Sequence, residues 1–323
     1  MKIRAIHIGR VSIPLKRPFK TALRRVDSAE DIVIRIESDG GEVGFGNAPP
    51  TAVITGDSQD SIVAAIRDTL GPRLIGQDIE NLEGIMGILD AGMLHNHSAK
   101  AALDIAVYDL FARRFAMPLY KLFGGYRTAF ETDLTISLNA PDEMVRDALS
   151  AVGEGYTALK LKVGNDPQLD FARVRAIRDA VGASVAIRLD ANQGWGAKEA
   201  VRIIRRFEAE GLGIELIEQP VKAHDLEGLK YVTDHVETDI MADESAFGPY
   251  EVFKLLSLRA CDLISIKLMK AGGLHNALKI AHFAETLDVQ CMMSCMLESK
   301  VGITAAASLA AGKKIVTRAD LDA

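Results

Sequence analysis

Cysteine is scarce in this 323-residue chain and odd in number: Cys261, Cys291 and Cys295 all lie in one third of it. They lack paired metal-site spacing, so the plain reading is buried, reduced thiols. No run approaches the ~20 apolar residues that a membrane span needs. The N-terminus, Met1-Lys2-Ile3-Arg4-Ala5-Ile6-His7, has no long apolar core; no signal peptide is visible, and a cytoplasmic location is expected. The net charge of −6 comes without a basic stripe, which argues against nucleic acid and anionic membrane as partners. What remains is ordinary: 48% hydrophobic and 25% charged residues, the balance of a globular protein long enough for two domains.

Against that background five charged residues stand out, each closing an apolar run. The runs are Leu159-Lys160-Leu161-Lys162, Val185 to Asp190, Ile214 to Glu218, Ile240 to Asp243, and Leu263 to Lys267. From Lys162 through Asp190, Glu218 and Asp243 to Lys267 the steps are 28, 28, 25 and 24 residues. One βαβ repeat takes roughly that many. The five groups therefore mark the C-terminal ends of consecutive parallel strands, the catalytic face of a (β/α)₈ barrel.

The first 125 or so residues do not follow this repeat. Ile32 to Glu37 and Glu42 to Gly46 flank Ser38-Asp39-Gly40-Gly41, a hairpin signal. Helical stretches are expected at 61–70 and 98–115; in the second, Ala101, Ile105, Tyr108 and Ala112 recur at helical spacing and leave Asp104 and Asp109 off the stripe. Pro118-Leu119-Tyr120 and Gly124-Gly125 break the pattern. The expected division is an α+β module over 1–125 and a barrel over 126–323. Strand one is placed at 131–137, strand seven at 289–294, and strand eight at Ile315-Val316-Thr317 leading to Asp320. A doubly wound open sheet is the alternative, but its glycine fingerprint is missing after strand one.

Three carboxylates converging from adjacent strand ends form an all-oxygen site for a hard cation, with one Mg²⁺ per subunit as the natural occupant. A single strand-end acid could merely pair with a basic neighbour; three at matched positions point to metal. Lys160 and Lys162, at i and i+2, share one face of their strand, the interior mouth of a barrel. A neighbouring ammonium and a nearby Mg²⁺ would both lower the pKa of Lys162 toward that of a base. Lys267 would face it from across the mouth. Two bases on opposite sides of a metal-bound substrate suit epimerisation next to a carboxylate, with Mg²⁺ stabilising the enediolate.

The set Lys160-Leu161-Lys162, Asp190, Glu218-Gln219-Pro220, Asp243-Glu244-Ser245, Lys267 and Lys270-Ala271-Gly272-Gly273 resembles the enolase superfamily, in its muconate-lactonizing-enzyme subgroup. The helix Ala101 to Asp109 resembles that subgroup's segment ahead of the barrel. The resemblance implies that the N-terminal module is a capping domain that reads the substrate. A narrower likeness, to the dipeptide epimerases and most to those acting on L-Ala-D/L-Glu, is carried by Phe19 to Arg24, Ala48-Pro49-Pro50, Val53 to Asp57, Cys295 to Lys300 and Asp320-Leu321-Asp322. It implies a small dipeptide substrate of cell-wall peptide recycling. Asp320 and Asp322 would hold its α-ammonium, Arg24 the glutamate side chain, with Arg25 the alternative if the register differs. Lys160 would support the substrate carboxylate, and Thr135, Cys295 and Leu297 would line the site. Two departures are visible: Asn47 stands where the family commonly has glutamate, expected to alter cap packing, and relatives continue past Ala323 with a segment that returns to the cap.

Other readings compete. A one-base cycloisomerase or o-succinylbenzoate-synthase-like dehydratase could use the same residues; Asp320-x-Asp322, suited to an ammonium, speaks for the dipeptide. A Schiff-base lysine aldolase would not need three converging acids. Self-association into a homo-oligomer stays open.

Overall fold

The computed structural model describes residues 1–21 and 25–322. Three antiparallel strands open the chain: β1 (Ile3–Lys20), β2 (Arg25–Ser38) and β3 (Val43–Ala48), in the order β1-β2-β3. β2 and β3 are the expected hairpin. The 18-residue β1 was not expected from the sequence, and its position explains why. It is a sheet edge, where Val11 and Ile13 are exposed, so nothing enforces an apolar alternation, and an edge tolerates Pro14 and Pro18. Antiparallel pairing with register shifts after Ile3 and Pro14 makes β1 and β2 a long arm that ends with Phe19 opposite Val26 and Lys20 opposite Arg25.

The helix His97–Arg114 packs on this sheet and is buried nearly all round, which is why the expected stripe describes only part of it. Gly46 permits the contact: a Cβ there would lie 1.9 Å from the Ala102 carbonyl oxygen. Asp104 is not solvated; it accepts from the Leu274 and His275 amides at 2.6 and 3.1 Å and so caps the helix Leu274–Thr286 of the barrel. Asp109 accepts from the Phe45 amide at 3.0 Å. The helix Leu82–Gly92 was not expected; Gly84, Gly87 and Gly92 dilute its signal.

The second sheet has eight parallel strands: β4 (Leu134–Ile136), β5 (Ala158–Lys162), β6 (Ala186–Asp190), β7 (Ile214–Glu218), β8 (Asp239–Ala242), β9 (Leu263–Lys267), β10 (Gln290–Ser294) and β11 (Val316–Asp320). They follow one another in chain order, and single connections carry helices between most of them. β4 is shorter than expected because its approach is spent on closure. The Asp133 amide donates to the Ala319 carbonyl at 3.2 Å, and Thr132 Oγ1 accepts from the Leu321 amide at 2.8 Å. These bonds bring β11 to β4 and close the barrel.

Alternation decides what points where. Leu159, Leu161 and Val163 face outward into the helices and are fully buried, while Lys160 and Lys162 point inward. The interior is filled unevenly. Leu216, Met241, Leu263 and Met292 form an apolar plug under β7 to β10. On the other side Arg188 pairs with Asp133 at 2.8 Å and with Glu215 at 2.7 Å, and Arg318 reaches Glu215 at 2.7 Å. Cys261 and Cys291 are buried free thiols, as read from the sequence, and Cys295 is half-buried. Among the described residues no helix is long and apolar enough to cross a membrane.

Candidate active site

Five consecutive strands deliver the five predicted charges to the same end of the barrel. Lys162 ends β5, Asp190 ends β6, Glu218 ends β7 and Lys267 ends β9. Asp243 lies one residue past the end of β8 rather than within it. Strand pairing sets Lys162 directly beside Asp190, and Asp190 beside Glu218. β5 and β9 are separated by β6, β7 and β8, so the two lysines flank the three acids from opposite sides of the ring.

The backbone at these strand ends is held in unusual conformations. Asn192, Gln193 and Gln219 have φ of 42°, 66° and 38°, a region non-glycine residues rarely enter, and such strain collects where geometry matters. Gln219 shows what holds it: its Oε1 accepts from the Asp243 and Ser245 amides at 2.9 and 3.1 Å, and its Nε2 donates to Ser245 Oγ at 2.8 Å. One buried amide thus ties the end of β7 to the turn that carries Asp243.

Ammonium groups are interleaved with the carboxylates. Lys160 Nζ lies 3.2 Å from Asp190, 2.6 Å from Glu218 and 2.8 Å from Asp320. Lys162 Nζ donates to Asp190 Oδ2 at 2.5 Å, and Lys267 Nζ to Asp243 Oδ2 at 2.6 Å. Lys270, given no role from the sequence, is fully buried and holds both Asp243 Oδ1, at 2.5 Å, and the Asp243 carbonyl. As these side chains stand, among the described residues no three His, Cys, Asp or Glu groups are drawn into a ready ligand cluster; the lysines are their counterions.

The acids respond differently to this crowding. Burial pushes the Asp190 carboxyl up, but Lys162 and Lys160 hold it below the ordinary value. Asp243 is held well below, burial being outweighed by Lys267 and Lys270. Glu218 goes the other way, to about 8, through burial and the charge of Asp190 beside it. Neither of its oxygens has a hydrogen-bond donor, although Lys160 is close. At 2.6 Å that contact is an ion pair. Burial pushes Lys267 down, yet Asp243 and Glu218 raise it above an ordinary lysine. The cause is the negative charge of those acids, which outweighs the loss of hydration.

A cavity of about 880 Å³ opens above the cluster, walled by the barrel mouth below and by the arm and the 53–54 loop above. Lys160, Lys162, Lys267 and Asp243 reach its wall; Asp190 and Glu218 lie beneath it. Thr135, Cys295, Leu297, Asp320 and Asp322 also line it. The Thr135 amide donates to Asp322 Oδ2 at 2.5 Å, and Cys295 Sγ approaches the Asp320 carbonyl at 3.4 Å. Asp322 is raised to about 6 by burial and by Asp320. Arg24 lies outside the described residues. Arg25 pairs with Asp27 at 3.0 Å on the surface and is not among the described residues that line the cavity. Residues given no role from the sequence include Phe19, whose ring centroid is 5.7 Å from Lys162 Nζ, and Asn192 and Glu244, two and one positions past Asp190 and Asp243. Their place directly after strand-end charges was the available signal.

Two family models cover most of the chain: an enolase C-terminal domain-like model over 143–320, and the mandelate racemase/muconate lactonizing enzyme N-terminal domain over 3–124. The chain is 55% identical to the L-Ala-D/L-Glu epimerase of Clostridium acetobutylicum, covering 100% of this chain and 90% of that one. It is 45% identical to a hydrophobic dipeptide epimerase of Enterococcus faecalis, covering 100% of this chain and 91% of the relative. Among solved structures, a substrate-liganded L-Ala-D/L-Glu epimerase of Bacillus subtilis matches with a TM-score of 0.99 at 52% identity, over 100% of this chain and 90% of that one. The Enterococcus faecalis dipeptide epimerase complexed with Mg and L-Leu-L-Tyr matches at 0.97 and 45%, over 100% and 90%. With its strand-end lysines and acids in this fold, the chain belongs to the enolase superfamily, in its mandelate racemase/muconate lactonizing enzyme branch.

Proposed function

We propose that this chain epimerises dipeptides at the α-carbon of the C-terminal residue, with L-Ala-D/L-Glu as the substrate. The observation that carries the reading is the placement of Lys162 and Lys267 on opposite strands with three acids on the strands between. Relatives named as dipeptide epimerases, at 45–55% identity over the whole chain, support the substrate class.

Asp190, Glu218 and Asp243 would hold one Mg²⁺. The donors fit: all are hard oxygens, and Glu218 keeps two buried oxygens without a hydrogen-bond donor. When bound, Mg²⁺ offsets negative charge building on the substrate carboxylate and draws the acids' charge away from the lysines. Lys162, uncharged, takes the α-proton from one face, and the electron pair left behind spreads into the adjacent carboxylate. Lys267, as an ammonium, returns a proton to the other face; the reverse reaction exchanges the roles. Lys160 supports the substrate carboxylate. Asp320 and Asp322 accept the α-ammonium, Arg24 pairs with the glutamate side chain, and Thr135, Cys295 and Leu297 shape the wall. A cytoplasmic role in recycling cell-wall peptide follows from that substrate choice.

The test is α-hydrogen exchange in D₂O across a dipeptide library. Dipeptides with a small first and an acidic second residue should exchange fastest, stop on chelation and resume with Mg²⁺. No exchange from any dipeptide, or undiminished exchange by metal-free enzyme, would overturn the reading.

A further inference from the structure

A continuous polar line runs from the arm to the loop behind Lys162, and the proton-transfer reading makes no use of it. It begins at Lys20, next to the tip. The Lys20 amide donates to Ser137 Oγ at 3.2 Å, its carbonyl accepts from the Leu138 amide at 3.1 Å, and its Nζ donates to Asn139 Oδ1 at 2.7 Å. The arm is thus docked on the loop after β4. The carbonyl of the same Asn139 accepts from Arg173 Nε at 2.8 Å. Arg173 Nη1 in turn donates to Asp170 Oδ1 at 2.9 Å, one turn back on the helix Pro167–Val181. Asp170 Oδ2 then accepts from the Gly164 and Asn165 amides at 2.9 and 3.2 Å.

Gly164 stands two residues after Lys162. Its φ is +100°, and a Cβ there would lie 2.1 Å from the Ala191 carbonyl oxygen, directly after Asp190. The loop can neither carry a side chain at that point nor swing away without losing both amide bonds to Asp170. Arg173 is 6% exposed and Asp170 fully buried, so breaking this line strands a buried charge. A pair serving only its own helix start would not need Arg173 Nε to leave the helix and hold the loop after β4. Phe19, beside Lys20, places its ring 5.7 Å from Lys162 Nζ. The arm therefore touches Lys162 from above through Phe19, while the bonds of Lys20 reach it from behind through Arg173. Lys267 is held by Asp243 and Glu218 instead.

We infer that Arg173 and Asp170 are positioning residues that couple docking of the arm to the placement of Lys162, and not to that of Lys267. The inference rests on the two-lysine reading above. A displacement of about 1 Å at a reacting group can cost on the order of a hundredfold in rate, so a line of this length has room to act.

The experiment measures α-hydrogen exchange of L-Ala-L-Glu and L-Ala-D-Glu in D₂O by magnesium-loaded enzyme, varying concentration to separate kcat from KM. The isomer that Lys267→Ala still exchanges is the one Lys162 serves. Arg173→Gln should lower kcat for that isomer about tenfold and leave the other within about twofold. Lys20→Met should slow the same isomer by a smaller factor, and the double variant should be no slower than Arg173→Gln alone, because both cut one line. Equal slowing of both isomers would make Arg173 merely structural. Additive losses in the double variant would assign the effect to Phe19. Either result overturns the inference. Should Arg173→Gln not fold, Arg173→Lys keeps the charge beside Asp170 without spanning both acceptors and is read by the same criteria. A wild type that exchanges neither isomer overturns the epimerase reading instead, so the two failures are distinct.

Discussion

At the barrel mouth, ammonium and carboxylate groups lock together over 2.5–3.2 Å with almost no exposure, on the barrel strands or directly after them. At the arm, by contrast, Lys20 is held by a few bonds of 2.7–3.2 Å to one loop, on an edge strand whose Val11 and Ile13 face solvent. The mouth has what proton transfer needs, groups that cannot drift. The arm has what substrate choice tolerates, contacts that can be rebuilt without disturbing the barrel. Relatives at 45–55% identity are named for different dipeptides, glutamate-containing in one case and hydrophobic in another, as a fixed mouth under a variable cover would allow.

The sharpest way to separate the two regions is to change selectivity without touching chemistry. Arg24→Met should lower kcat/KM for L-Ala-L-Glu by roughly ten- to a hundredfold, since a charge-assisted contact is worth on the order of 1.5–3 kcal/mol. An Ala-Leu analogue should fall far less. If both substrates fall alike, selectivity does not reside in the arm and the contrast fails.

A smaller effect tests the seam between the regions. Asn47 is buried and donates Nδ2 to Asp31 at 2.8 Å and to Glu298 at 3.2 Å, on the loop after β10. It therefore ties the N-terminal sheet to the loop carrying Cys295 and Leu297. Burial raises Glu298 to about 7 and raises Asp31 as well. For an acid with a raised folded-state pKa, the stabilising contribution is complete below its unfolded value, near 4.5, and is lost as pH rises through about 7. Asn47→Asp replaces the donor with a third carboxylate. The melting temperature should drop by on the order of 3–6 °C at pH 8 and recover most of that at pH 5, read as the difference from wild type. A drop of the same size at both pH values would mean lost packing rather than charge.

The same contrast explains what was legible in the sequence. Lys162, Asp190, Glu218, Asp243 and Lys267 were readable because parallel strands recur at nearly fixed intervals and each ends in a charge that an apolar run cannot otherwise explain. The barrel followed from them. β1 was not readable, because an edge strand bears prolines and cations that break any alternation. Nor was the burial of Asp104, since a carboxylate capping a helix far along the chain leaves no local pattern. Nor was the raised pKa of Lys267, because it depends on the sum of Asp243, Glu218 and burial, which only the assembled mouth supplies.

The central claim is that two lysines act on opposite faces of one carbon. Its most direct measurement is α-hydrogen exchange in D₂O by Lys267→Ala, with Mg²⁺ and substrate binding checked by calorimetry. The account predicts that interconversion of L-Ala-L-Glu and L-Ala-D-Glu stops, while one isomer, the one whose proton faces Lys162, still exchanges within about tenfold of wild type. Loss of exchange from both isomers to the same degree, with metal and substrate still bound, would contradict it.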